Sequence, residues 1–316
     1  MLKSHFPEII PLAFRNFLFN LSNWMSDDDY VSISLILRRG QHWMRDPDNE
    51  IPLPNFENPP VIEVVCGVLY KPISAFLTPY LGLLWNEFRP EYPECREVAP
   101  LDPILEEHDE LSRITVEIAN VPPLPRIWFI REKGNEIIQV QRDRFLHNWR
   151  KTSPKDEYPR YDYVKRIFFD RLVQLRDFLT RNELGEIDPL QYEMTYINHI
   201  PQGEGWRELG QIGEVFPDFA FRIRKRFLPE PSGINWQTTF ILPEKHGRLH
   251  ARIRYVRMRE TKLPMLVLEL TVRGIGEDKS FQGMQAWFDL AREWIVKGFA
   301  DLTGSDIQRS IWKRQN

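Results

Sequence analysis

The sequence lacks most of what would classify it quickly. It has only two cysteines, Cys66 and Cys95, too few for a disulfide framework and too far apart for a zinc knuckle. Cys66 falls inside an apolar strand pattern, where a thiol reads as a small buried hydrophobe. No apolar run is long enough to cross a membrane. The fairly apolar stretch 6–21 is broken by Pro7, Glu8, Pro11, Arg15 and Asn16, which leaves no signal-peptide core. The expected compartment is a reducing cytoplasm, without membrane association. Catalytic signatures are missing too: there is no Gly-x-Ser-x-Gly elbow, Gly-rich phosphate loop, His-Glu-x-x-His or Cys-x-x-Cys. No catalytic residue, metal ligand or cofactor is therefore assigned. Triads built from distant residues escape such a scan, so enzyme activity stays open, with the balance against it.

A charge excess of one sign is also absent. The formal net charge of −3 makes no whole-chain case for nucleic acid. Its distribution is less even, since Leu190 to the end holds 19 Lys+Arg against 15 Asp+Glu and the remainder holds 23 against 30. What the chain does have is an ordinary globular composition, 42% hydrophobic and 28% charged over 316 residues, ample for a sizeable core.

The most distinctive stretch runs from Arg126 to Arg150. Two apolar runs flank Lys133-Gly134-Asn135, a short turn, and predict a hairpin. Its second strand alternates Ile138 and Val140 with Gln139 and Gln141, the period of a half-buried sheet. It continues into Arg142-Asp143-Arg144-Phe145 and closes on Asn148-Trp149-Arg150.

Around this stretch the chain falls into an N-terminal extension and linker (1–56) and two halves (57–189 and 190–316). In the extension, Met25 reads as a candidate start, Val31–Leu37 as a short strand and the Pro/Asn/Asp-rich 46–60 as a linker. The first half shows a strand at Val61–Tyr70, helical spacing from Ile73 to Leu84 and a loop over Pro90–Pro103. A strand at Ile114–Ala119 and the hairpin follow, then an amphipathic helix from Val164 to Leu179 stopped near Asn182. The second half repeats the order. Strand Tyr192–Ile200 precedes a short helix suggested by Trp206, Leu209, Ile212 and Phe216, and strands at Ala220–Leu228, Trp236–Leu242, Leu249–Val256 and Met265–Val272. A long helix with Met284, Trp287, Phe288, Ala291, Ile295 and Phe299 on its apolar face closes the half. Ser305-Asp306-Ile307-Gln308 reads as a capping-box start for a last helix. Even the openings rhyme, Val61-Ile62-Glu63-Val64 beside Gln191-Tyr192-Glu193-Met194. The predicted fold is α+β: pseudo-duplicated strand–helix–strands–helix units whose antiparallel sheets join edge to edge, with helices packed on one face. Two tandem domains are the alternative.

Pro59-Pro60-Val61-Ile62-Glu63, Arg126-Ile127-Trp128-Phe129, Ile138 to Phe145 with Asn148-Trp149-Arg150, and Tyr158-Pro159 together resemble a sporadically distributed bacterial family of uncharacterised accessory proteins. Phe299, Leu302-Thr303 and Trp312 fit its usual ending, so the resemblance covers roughly 59–314. It implies a horizontally moving accessory gene, as phage-defence and toxin–antitoxin components often are. It offers no catalytic residues to carry over.

Two constellations are candidates for binding. In the first, Gln139, Gln141, Arg142, Arg144, Asn148 and Arg150 bring guanidinium forks and amides together, which suit a carboxylate or phosphate. The competing reading has Asp143 clamping a neighbouring arginine while Trp149 packs into the core at a strand-to-helix corner. In the second, Arg222 and Arg224 on one strand and Arg252 and Arg254 on another share the polar face of their sheet, where a phosphate backbone could run. The competing reading is a solvated face with Glu269 and other acids interleaved. His246 and His250 lack a third metal ligand, and Glu106 to Glu110 reads as a solvated charge run. The expected function is protein binding: a partner encoded nearby, recognised through the sheet face and the hairpin. Nucleic-acid or nucleotide binding through the arginine-rich sheet is the alternative, and oligomeric state is left open.

Overall fold

Val64, Cys66, Val68 and Tyr70 alternate along Val61–Tyr70 and are completely buried, which makes this strand, β1, the centre of the fold. The structure is a computed structural model and describes residues 52–106, 125–219, 227–229, 231–258 and 261–316. The readings at Met25, 31–37, 114–119 and 220–226 lie outside the described residues. Helix α1 (Thr78–Phe88) begins later than the apolar spacing predicts, with Pro79 in its first turn, where a missing N–H costs nothing. Ile73 and Phe76 are buried in the turns ahead of it.

The loop predicted over 90–103 contains strand β2 (Glu94–Val98), which pairs with β3 (Arg126–Ile130). Four of its five residues are exposed, so backbone pairing alone makes it a strand and no apolar period marks it. A turn with Gly134 at φ +69° joins β3 to β4 (Glu136–Gln141). The Arg142-Asp143 segment is not a strand-to-helix corner. It is a two-residue turn into a further strand, β5 (Arg144–Arg150), with Gln141 opposite Arg144. Helix α2 (Tyr161–Arg181) buries Val164, Phe168, Leu172, Leu175 and Leu179 and stops at Asn182, whose side chain donates to Phe178 O.

The second half starts with β6 (Pro189–Pro201), followed by a 3-10 turn at Leu209–Gln211 and short α3 (Ile212–Val215). Strands β7 (Asn235–Ile241), β8 (Arg248–Arg257) and β9 (Pro264–Gly274) form a meander, and α4 (Phe281–Leu302) and α5 (Ser305–Ser310) end the chain. The expected capping box at Ser305 is absent. Gln308 instead donates to Ala300 O, Thr303 O and Thr303 Oγ1, because the carbonyls left free at the end of α4 lie within its reach.

The nine strands among the described residues form one antiparallel sheet in the order β2-β3-β4-β5-β1-β6-β9-β8-β7, an α+β fold. Its register sorts residues cleanly between two faces. Val64 opposes Trp149 and Tyr196, and Cys66 opposes His147 and Met194. That face carries the helices: Phe168 of α2 lies 6.2 Å from Phe145 and 5.0 Å from Phe288 of α4, which in turn lies 6.1 Å from Tyr192. Among the described residues no helix covers the other face, and none is long and apolar enough to cross a membrane.

Leu53–Asn316 form one compact unit. The linker reading of 46–60 is corrected at its C-terminal end, where residues 55–58 run beside the C-terminus. Gln315 N donates to Asn55 O, Asn58 N donates to Trp312 O, and Phe56 meets Phe299 edge-on at 5.3 Å. Phe56 is 6% exposed, so it belongs to the core. Phe56→Ala should lower stability by about 3–5 kcal/mol in chemical denaturation, as large-to-small core changes do; a wild-type midpoint would return this segment to linker status.

Candidate functional site

The uncovered face alternates with the apolar one, and its polar side chains are organised. Gln139 is the hub of one chain of hydrogen bonds. Its Oε1 accepts from Arg126 Nη1 (3.1 Å) and Trp128 Nε1 (3.0 Å), and its Nε2 donates to Asn148 Oδ1 (2.6 Å). Asn148 Nδ2 then donates to Glu63 Oε1 (2.6 Å). The chain runs in one direction, from a guanidinium and an indole to a carboxylate, which fixes the orientation of both amides. Burial pushes the Glu63 carboxyl up. Asn148 and Arg150 pull it down and Glu269 adds to the rise, so the net shift is upward.

Residues 101–106 cross this same face as a strap. Gln141 Oε1 accepts from Leu101 N and Gln141 Nε2 donates to Leu101 O, both at 3.0 Å. Gln191 repeats the arrangement: its Oε1 accepts from Glu106 N and its Nε2 donates to Ile104 O, both at 2.7 Å. Each carboxamide treats the strap as a neighbouring strand would, gripping backbone and ignoring side chains. The far end is pinned by Glu106, whose carboxylate meets His250 Nε2 at 2.6 Å and Arg248 Nη1 at 3.1 Å. Burial raises the Glu106 carboxyl, but His250, Arg248 and Arg273 outweigh that and hold it below its ordinary value. Glu106 is therefore an anchor, not part of a solvated charge run. Between sheet and strap lies a cleft of about 210 Å³, lined by Gly67, Leu69, Leu101, Ile104, Arg144, Leu146, Glu193 and Arg273 among others. Gly67 leaves the space that Leu146 fills, since a Cβ there would sit 2.2 Å from Leu146 Cδ2.

The predicted site residues thus separate. Gln139, Gln141 and Asn148 are at most 7% exposed, so the expected half-open polar side chains are corrected to ones buried within a hydrogen-bonded network. Arg144 lines the cleft, with Asp143 as its ion-pair partner at 3.4 Å. Trp149 is buried in the core, as the structural reading of this motif has it. Arg150 donates to Gly134 O (2.8 Å) and holds the β3–β4 turn, and Arg142 lies in the β4–β5 turn with a buried Nε that has no partner among the described residues. On β8, Arg252 reaches Asn235 Oδ1 (3.3 Å) and Arg254 pairs with Glu269 (3.2 Å), while on β9 Arg273 pairs with Glu193. Arg222 and Arg224 lie outside the described residues. Among the described residues no cluster of three or more His, Cys, Asp or Glu could hold a metal ion.

Sequence reasoning missed Glu63, Gln191 and the strap. The only signal was an outward polar residue on each of β1 and β6. It also missed a buried group on the helix-bearing face, where Glu136 accepts from Tyr163 (2.7 Å), Tyr92 (3.2 Å) and Arg131 (2.7 Å) beside fully buried His147. Burial raises the Glu136 carboxyl, yet His147, Tyr163 and Arg131 hold it well below the usual range; burial holds His147 below its ordinary value.

Compared with known proteins, the chain matches no family model, no curated protein and no solved structure.

The raised Glu63 carboxyl has a pH consequence. A carboxyl whose folded pKa exceeds its unfolded one contributes stability that is complete below the unfolded value and is lost as pH rises through the folded value. Glu63→Gln keeps an acceptor for Asn148 and never ionises. Its stability relative to wild type should therefore climb as pH rises above the ordinary carboxylate range, about 4. Denaturation midpoints showing a constant difference over that rise would remove Glu63 as the titrating group.

Proposed function

We propose that the protein is a non-enzymatic recognition component that takes an extended segment of a partner protein on its helix-free sheet face. The observation that carries this reading is the strap. Two carboxamides, Gln141 and Gln191, each pair with its backbone through one donor and one acceptor. Backbone pairing gives affinity and side-chain pockets give specificity in peptide recognition by sheets. Here the cleft with Arg144, Glu193 and Arg273 supplies such a pocket. The setting in a bacterial accessory locus, of the phage-defence or toxin–antitoxin kind, rests on the sequence resemblance alone, and so does a partner encoded nearby.

We also infer that the two halves arose by duplication. In each, a first strand is followed by a helix, a meander and a long helix, and the last meander strand returns beside the first, β5 beside β1 and β9 beside β6.

Co-expression with the products of adjacent genes, followed by affinity purification, tests the main reading. Arg144→Gln removes the charge lining the cleft without adding a like charge beside Asp143, and should cut partner recovery at least about tenfold, a loss of about 1.4 kcal/mol, when compared at a temperature where both proteins are folded. Equal recovery would overturn the sheet face as the recognition surface.

Nucleic-acid binding is placed second because the sheet arginines already face acceptors: Arg248 faces Glu106, Arg254 faces Glu269 and Arg273 faces Glu193. Oligonucleotide titrations at physiological salt should give no complex. A tight complex that weakens steeply with salt, and that Arg252→Gln with Arg254→Gln abolishes, would reverse the order of the two readings.

A further inference from the structure

On the helix-bearing side, well apart in the fold from the strap, a cavity of about 90 Å³ opens between residues 54–60, the start of α2 and the middle of α4. Its polar lining comes from Tyr158, Arg160, Tyr161, Tyr196, Asn198 and Arg292. The strap cleft has its charges matched. This cavity does not.

Arg292 is the mismatch. Its guanidinium stacks over the Tyr161 ring at 4.9 Å, and among the described residues no hydrogen bond or ion pair engages it. The carboxylate one turn back, Asp289, is occupied twice, by the Tyr161 hydroxyl (2.7 Å) and by Lys165 Nζ (2.7 Å). Arg160 directs its own guanidinium to Phe56 O (2.9 Å) and Glu57 O (3.5 Å), so it braces the cavity wall. The hydroxyls of Tyr158 and Tyr196 meet at 2.9 Å. One O–H lies between the two oxygens, which leaves the second phenol's proton free to donate elsewhere. Asn198 has its amide nitrogen on Leu268 O.

The balance is therefore rich in donors and poor in acceptors. Among the described residues, three cations stand around the three phenols, with Arg160 6.0 Å from the Tyr158 ring, Lys165 5.8 Å from the Tyr161 ring and Arg292, and Asp289 is the carboxylate that meets them. Burial raises all three phenols, and the charge of Arg292 opposes that rise at each, so the guanidinium sits close to the whole cluster. Among the described residues this part-buried guanidinium has no acceptor, and its five donors suit planar or tetrahedral oxyanions. The volume admits several waters, hence a group of a few heavy atoms and not a whole nucleotide.

We propose that this cavity binds a small oxyanion, a phosphate or carboxylate group, with Arg292 as its charge partner and the Tyr158–Tyr196 pair as hydroxyl donor. The group is either free or the tip of a larger ligand whose remainder lies over Pro59, Pro60 and Val296 at the cavity rim. The inference is independent of the strap face and survives or fails separately from it.

The test uses the full chain. Melting temperature is followed against inorganic phosphate and, separately, against acetate, with chloride holding ionic strength constant. Wild type should show a saturable rise with at least one anion, since a ligand that binds only the folded state raises stability by mass action. Phosphate alone identifies a phosphoryl ligand; acetate as well identifies a carboxylate. Arg292→Gln should weaken the apparent affinity at least about tenfold, which corresponds to about 1.4 kcal/mol. Arg292→Lys, which keeps the charge and loses the fork, should fall between. Arg166→Gln, on an exposed arginine of α2, should leave the response unchanged. If Arg292→Gln melts early by itself, the lysine variant carries the comparison. No saturable response in wild type, or the same response in Arg292→Gln, would overturn the proposal.

Discussion

The pairing of β1 with β6 is the constraint on which the rest depends. The two strands lie side by side at the centre of the nine-stranded order, and their register sets Val64 against Tyr196, Cys66 against Met194 and Val68 against Tyr192. Strand side chains alternate strictly, so a slip of one residue would send every apolar side chain of one half to the opposite face. Held in register, the two meanders share one apolar face. That shared face lets α2 and α4 meet through Phe168, Phe169 and Phe288. The strap depends on the same pairing, because its two gripping amides belong to different halves, Gln141 to the first and Gln191 to the second.

Polar groups on the two faces are handled differently. On the helix-bearing face Glu136 lies at 1% exposure and is served by two tyrosine hydroxyls and Arg131, as a buried carboxylate must be. On the uncovered face the chain through Gln139 and Asn148 ends at Glu63 and is closed within the sheet itself. The strap then adds cover, with Pro103 biasing the residue before it towards an extended backbone that suits side-chain amides as partners. Arg144 lines the cleft and Arg292 lines the cavity. Arg144 has one ion-pair partner, adjacent in sequence, and Arg292 has none among the described residues.

Much of the architecture was legible from periodicity. The runs that became β1, α2, β6, β8, β9 and α4 carry a clear period of two or 3.6, because each buries one face in the same core. Where a segment buries little, the pattern vanished. Strand β2 is mostly exposed and owes its conformation to backbone bonds with β3. Strand β5 was read as the tail of the preceding hairpin, since Arg142-Asp143 lacks the glycine or asparagine that usually marks a two-residue turn.

The sequence by itself determined the α+β class, which residues alternate, and that amides and arginines crowd the stretch from Gln139 to Arg150. Only the tertiary structure decided what those side chains do. Gln141 grips Leu101, 40 residues away, Asn148 meets Glu63 across 85, and Glu106 finds His250 across 144. Arg150 braces a turn and Arg292 is left over an aromatic ring. Periodicity reports whether a side chain faces the core, because burial acts on each residue separately. The partner of a hydrogen bond is set by which distant segment crosses that spot, and local sequence carries no trace of it.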